Sequence, residues 1–239
     1  MKFKTELILK EDIAEGTMAF HFKKPADFVF KAGQFMDVTL VEPPETDAEG
    51  NTRAFSIAAP PDAADLVIAT RMRDTAFKRT LKTAAIGMPV EIDGPMGSFT
   101  LHENASRPAV CLVGGIGITP FISIVRNAAS RALPHKIYLF YSNRRPEDAA
   151  FLKELQGLPA KNPNFVFVPT MTQAGEPPEI WKGETGYITK ALIDKYVRDG
   201  ANAVYYAAGP QAMVAAMRKV LNDAGVSDDD IKTEEFSGY

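Results

Sequence analysis

"AVCLVGGIGITPFISIV", residues 109–125, decides how the rest of the chain is read. No charged side chain interrupts it, yet it falls short of the roughly 20 apolar residues that cross a bilayer. Gly114, Gly115, Gly117 and Pro120 break it internally. It therefore reads as a strand covered on both faces, a glycine turn and the start of a helix. "IYLFYS", "FVFVPT" and "AVYYAAG" repeat the apolar-run form further along. Helical spacing lies between them: Ala149, Leu152 and Leu155 after Pro146, then Met213, Val214, Met217, Val220 and Leu221 before Gly225. Strands alternating with helices predict a parallel, doubly wound sheet.

Before this run the texture is different. Phe3, Thr5, Leu7 and Leu9 alternate with polar neighbours, as do Met18, Phe20 and Phe22, then Met36, Val38 and Leu40. Residues 66–72 and 90–92 add short β-like runs, and a helical turn is expected near residues 78–82. Pro43-Pro44, Pro60-Pro61, Gly87 and Gly94-Pro95 punctuate them. Short strands with turn signals predict an antiparallel barrel or sandwich. "HENASRP", residues 102–108, reads as the linker, which gives units of 1–104 and 105–239.

The totals exclude several classes. The chain has 239 residues, 46% hydrophobic and 24% charged, which suits a globular protein with a real core. A net charge of −3 argues against nucleic-acid binding. One cysteine, Cys111, excludes a disulfide framework and a four-cysteine iron–sulfur cluster within these residues, and suits a reducing cytoplasm. The N-terminus carries no apolar core of signal-peptide length, so a cytoplasmic protein away from membranes is expected, and a monomeric one. His21, His102 and His135 have no metal-ligand spacing.

Ligands of doubly wound sheets sit at the carboxyl ends of the strands. Here those ends carry Gly114-Gly115-Ile116-Gly117-Ile118-Thr119-Pro120, Ser142-Asn143-Arg144-Arg145 and Ala208-Gly209-Pro210. Glycines let a pyrophosphate approach backbone N–H groups, and the following helix adds its positive end. Each signal alone has a structural alternative: a glycine turn can serve packing, and an arginine pair can be a solvated surface. Together on one edge they point to a dinucleotide.

Several motifs, in order along nearly the whole chain, resemble those of the ferredoxin–NADP reductase superfamily. They are "FKAGQFMDV" (30–38), "RAFS" (53–56), "GPMGSF" (94–99), "GGIGITPF" (114–121), "YSNRRPEDAAF" (141–151), "AAGP" (207–210) and the terminal "EEF". The resemblance implies an FAD-binding β-barrel followed by an NAD(P)-binding α/β unit. Arg53 would meet the pyrophosphate as a planar charged fork. Phe55, on the same strand face, would pack on the isoalloxazine. Ser56 and Ile57 would line the ring, with Ser56 donating near N5. By the same resemblance Thr70, Arg71 and Met72 lie along the ribityl chain, Phe77, Lys78 and Arg79 meet the phosphates, and Thr119 touches both cofactors. Gly114, Gly115, Gly117, Thr119, Pro120, Ser142, Asn143, Arg144, Arg145, Ala208, Gly209 and Pro210 are expected around NAD(P)H. Glu234 matches a carboxylate that assists protons or the nicotinamide amide, and Phe236 an aromatic that covers the flavin. A solvated basic turn at 70–81, a solvated Glu234 and a core Phe236 are the plain alternatives.

Two positions depart from the family: Phe55 stands for a tyrosine and Ala208 for a cysteine beside the nicotinamide. The expected activity is hydride transfer from NAD(P)H to FAD, then single-electron transfer to a separate ferredoxin- or flavodoxin-like carrier. A reductase for free flavin, quinone or an oxygenase component is the second reading, and a redox-sensing module that turns nothing over is the third. With arginines at 144 and 145 and no acid before Glu147, the ribose loop favours NADPH.

Overall fold

The computed structural model describes residues 1–174 and 181–236. The first half is all β apart from one helix. Strands β1 (Lys2–Ala14), β2 (Thr17–Lys23), β3 (Phe35–Leu40), β4 (Thr52–Ser56), β5 (Asp65–Arg71) and β6 (Pro89–Met96) form one sheet in the order β4-β3-β6-β1-β2-β5. All pairings are antiparallel. The edges β4 and β5 curl toward each other, and the Ala58 N–H donates to Val67 O at 2.7 Å just past the end of β4, so the sheet closes into a barrel. Met18, Phe20 and Phe22 fill its interior with Met36, Val38 and Leu40, as their alternation predicts. Leu9 does not join them. The β1–β2 register shifts between Leu7 and Leu9, and the bulge leaves Ile8 and Leu9 exposed.

The second half is the expected doubly wound unit. Strands β7 (Ala109–Gly114), β8 (Ile137–Asn143), β9 (Phe165–Met171), β10 (Glu184–Thr185), β11 (Val204–Pro210) and β12 (Ile231–Phe236) lie in the order β10-β9-β8-β7-β11-β12. Every pair is parallel. Strand order reverses between β7 and β11, which puts the switch point at Gly114 and Gly209. Helix α1 (Ala76–Thr83) belongs to the barrel. Helices α2 (Ile118–Ser130), α3 (Leu152–Gly157), α4 (Lys190–Tyr196) and α5 (Gln211–Asp223) flank the parallel sheet. The helix expected from Pro146 is interrupted. Phe151 takes a left-handed backbone at φ 60°, so only a short α3 follows. Among the described residues no helix is long and apolar enough to cross a membrane.

One buried cluster runs from the barrel into the near face of the parallel sheet. Phe99, Phe121 and Tyr206 meet edge to face where the two halves join, with ring centroids 5.5–6.5 Å apart. Polar bonds fix the same seam. Ser123 Oγ donates to Ala59 O at 2.6 Å, and Arg126 Nη1 donates to Ala58 O at 2.8 Å. Cys111 lies inside this core, where burial pushes its thiol up and keeps it un-ionised.

Candidate functional site

The barrel side of the site begins on β4. Successive strand residues face opposite sides, so Arg53 and Phe55 leave one face together. Both meet Phe77 of α1: the Phe55 ring lies 5.8 Å from it at 35°, and the Arg53 guanidinium sits 5.4 Å from its centroid. Ser56 ends the strand. Its hydroxyl is buried and has no hydrogen-bond partner among the described residues. A buried hydroxyl seldom stays unsatisfied, because the desolvation goes uncompensated. Next to it Ile57 is fully buried and its N–H donates to Gln34 O at 2.9 Å. Gln34 also ties two loops together, accepting from the Lys31 N–H at Oε1 and donating from Nε2 to Gly97 O. The "AGQF" and "GPMG" segments therefore brace each other beneath β4.

Helix α1 supplies a second polar element. Thr75 caps it, accepting the Lys78 N–H at 3.3 Å. Lys78 Nζ donates to Arg71 O at 2.8 Å, which pins the end of β5 to the helix. Burial, followed by the neighbouring charges of Arg73 and Arg53, holds the Lys78 ammonium below its ordinary range. Cations crowded this way, beside a helix start, favour an anion. Arg79, expected near the phosphates, is engaged by acids of this chain. Its guanidinium bonds Glu45 and Asp74 on the exposed side of α1. Thr70 is buried, Arg71 half-buried, and Met72 packs at the edge of the core. Arg71 Nη2 reaches Asp148 O at 3.4 Å, so the end of β5 touches the loop after β8.

On the α/β side the glycines are explained first by packing. A Cβ at Gly117 would lie 2.5 Å from Ala208 O and 2.7 Å from Gly209 Cα. One at Gly114 would strike Met213 Sδ at 2.2 Å. The turn after β7 therefore nests on the turn after β11, a contact only glycine permits. It also touches β5, β8 and β12, which gathers strand ends from both halves around residues 115–117. Thr119 is buried in the first turn of α2 and bonds Ile116 O at 3.1 Å, with Pro120 beside it where a missing N–H is harmless.

The parallel register places Ser142 level with Gly114 on β7, and Gly209 and Pro210 level with Glu235 and Phe236. Asn143 is buried at the end of β8, and neither atom of its amide finds a partner among the described residues. Arg144 is exposed. Arg145 is exposed too but already engaged: it pairs with Asp148 three residues on and, across the two halves, with Glu15. The Arg145 bond in turn holds the Asp148 carboxyl below its usual range. Glu234, level with Ala208, is partly buried, and its buried Oε2 has no hydrogen-bond partner among the described residues. Burial alone pushes its carboxyl up to about 7. Phe236 packs, partly buried, against the shared core.

Sequence reasoning missed Asp47, Asp148 and Glu15. Asp148 had a local signal, since an arginine and an acid three apart can pair. Asp47 and Glu15 had none, because their arginines are brought to them by loop geometry and by the docking of the two halves.

A strand-closed barrel joined to a doubly wound sheet, with glycine turns and unpartnered polar atoms gathered at one edge, defines a two-unit architecture whose second unit has the strand-end edge where doubly wound sheets take ligands. Residues 111–219 match the oxidoreductase NAD-binding domain family. The chain is 25% identical over 232 residues to the glycine betaine monooxygenase reductase subunit of Chromohalobacter salexigens, covering 96% of this chain and 62% of that protein. It superposes on the cytochrome P450 reductase of Amycolatopsis with a TM-score of 0.83 at 25% identity, covering 99% of this chain and 70% of that one. A ferredoxin NADP+ reductase from Neisseria gonorrhoeae, solved with bound FAD and NADP, gives a TM-score of 0.80 at 22% identity, with 98% of each chain covered. The second half of the chain thus matches that NAD-binding family, and the chain as a whole shares the two-unit fold of these reductases. It spans 62% and 63% of the length of the first two curated relatives it matches.

Proposed function

We propose that the protein is an FAD-containing reductase that takes reducing equivalents from NAD(P)H and delivers them to an oxygenase component or to a ferredoxin- or flavodoxin-like carrier. The working division falls at residues 104/105, with flavin on the barrel and nicotinamide nucleotide on the α/β unit. The observation that carries the reading is the buried Ser56 hydroxyl, without a hydrogen-bond partner among the described residues, on the strand that presents Arg53 and Phe55. A flavin fits what these residues lack and offer: a hydrogen-bond acceptor for Ser56, a flat ring for Phe55, and phosphate for Arg53 and Lys78. When bound, it supplies the conversion of a two-electron donor into single-electron steps.

The chain's own residues position and shield. Arg53, Lys78 and the N-terminus of α1 hold the phosphates, while Thr70, Arg71 and Met72 line the middle of the cofactor. Ser56 and Ile57 fix the ring. Thr119 stands at the meeting of the two units. Gly114, Gly115, Gly117 and Pro120 shape the nucleotide turn, with Ala208, Gly209 and Pro210 opposite. Ser142, Asn143 and Arg144 face the ribose, and Arg145 serves by bracing the loop through Asp148 and Glu15. Glu234, raised to about 7, can hold or release a proton at Oε2 near neutral pH. Phe236 would shield a bound flavin and would have to move aside for hydride transfer. Exposed Arg144 favours a 2′-phosphate, and so NADPH.

The names of the relatives support an oxygenase system as the acceptor. These 239 residues hold one cysteine, so a four-cysteine cluster that receives the electrons lies outside them. The test is anaerobic. FAD-loaded protein that bleaches within seconds of adding NADPH or NADH supports the reductase. Yellow protein indifferent to both dinucleotides refutes it and favours a sensing module.

A further inference from the structure

The segment between β3 and β4 bears four carboxylates, and three of them, Glu45, Asp47 and Glu49, pair with arginines of the barrel. Asp47 is bound most closely. Its Oδ2 accepts the N–H of Ala76, the first residue of the eight-residue helix α1, at 3.1 Å. Its Oδ1 accepts from Arg53 Nη2 at 3.1 Å and from the Glu49 N–H at 3.0 Å. Arg53 is further held by the carbonyls of Glu49, Gly50 and Thr52. One carboxylate thus bridges an arginine fork and a helix-start N–H, the donor set that phosphate oxygens take. Burial opposes its charge, but bonds from Glu49, Ala76 and Arg53 outweigh that and hold the Asp47 carboxyl below its usual range.

Resting on the flavin reading above, we propose that Asp47 is an internal stand-in for the FAD pyrophosphate: segment 41–51 is a strap that closes the phosphate seat in the cofactor-free protein and must leave it when the dinucleotide binds. Two anionic groups cannot share Arg53 and the α1 start without repulsion, so strap and phosphate compete. The competition acts on the phosphates alone. It lowers affinity for FAD and leaves affinity for riboflavin, which has no phosphate, untouched. It also stabilises the empty protein, since Asp47 caps a helix that otherwise starts with a free N–H.

The test is fluorescence titration of cofactor-free protein with FAD and with riboflavin, using wild type, Asp47→Asn, Asp47→Ala and Glu49→Gln. Glu49 touches Arg53 but not the helix, so its variant measures the general effect of removing one nearby negative charge. The expected result is FAD affinity raised about tenfold in Asp47→Ala, a smaller gain in Asp47→Asn and Glu49→Gln, and riboflavin affinity unchanged throughout. The melting temperature of cofactor-free Asp47→Ala should fall while that of the FAD-saturated form stays put. Equal gains for Glu49→Gln and Asp47→Ala would reduce the effect to bulk charge and overturn the strap. Weaker FAD binding by both Asp47 variants would overturn it too, making Asp47 a residue that orients Arg53. If wild type and all variants ignore FAD, the flavin reading fails and the strap with it; if wild type binds FAD and the Asp47 variants bind it no better, only the strap fails.

Discussion

Replacing Glu234 by glutamine should stabilise the protein above neutral pH and erase part of its pH dependence. The Glu234 carboxyl is raised from 4.5 to about 7 by burial. At about 1.4 kcal/mol per pKa unit, ionising it in place disfavours the fold by about 3 kcal/mol. Between those two values the folded state binds more protons than the unfolded chain, so stability falls as pH rises. Below about 4.5 both states are protonated and the residue has no effect; above about 7 the full cost is present. Glutamine keeps the shape and one donor, and never ionises. Urea unfolding of wild type and Glu234→Gln at pH 5 and pH 8.5 measures the difference directly. The variant should gain about 2–3 kcal/mol relative to wild type at the higher pH and little at the lower. Equal differences at both pH values would refute the buried, unpaired carboxyl, and so would a variant less stable at pH 8.5.

Arg53→Ala should weaken FAD binding by about tenfold to a hundredfold through the loss of a charge-assisted contact, read by flavin fluorescence; unchanged affinity would misplace the phosphate seat. Phe236→Ala should bind oxidised dinucleotide more tightly and shift nicotinamide preference at nearly unchanged stability, since the side chain is only partly buried at the end of an edge strand. A loss of about 3 kcal/mol or more in unfolding experiments, as for a full core truncation, with dinucleotide affinity unmoved, would make it core. Arg144→Ala should lower the preference for NADPH over NADH in kcat/KM, whereas Arg145→Ala should mainly lower the melting temperature, because its charge is already spent on Asp148 and Glu15. Equal specificity losses for the two variants would contradict that division.

Much of the architecture was written in local pattern. Period-2 alternation in Met18, Phe20 and Phe22 and the bare apolar run before Gly114 fixed the two sheet types, because burial on one face or on both leaves different spacings. The strand ends carrying Gly114, Ser142, Gly209 and Phe236 were legible for the same reason. Where the chain alone misled, a distant partner had intervened. Leu9 followed the alternation but a register shift against β2 turned it outward. The glycines at 114 and 117 signalled a turn, but that the turn also nests on the one after β11 could not be read from the chain. The pairing of Arg79 with Glu45 and of Arg145 with Glu15 was not legible either, since each acid lies far away in the chain. Charges act through space over several ångströms and side-chain reach is short, so which acid meets which arginine is set by how loops and units dock. Sequence therefore determined what could be buried and where the polar edge lies. Only the tertiary structure decided which charges on that edge are already paired, and that Ser56, Asn143 and Glu234 hold buried polar atoms there with no partner among the described residues.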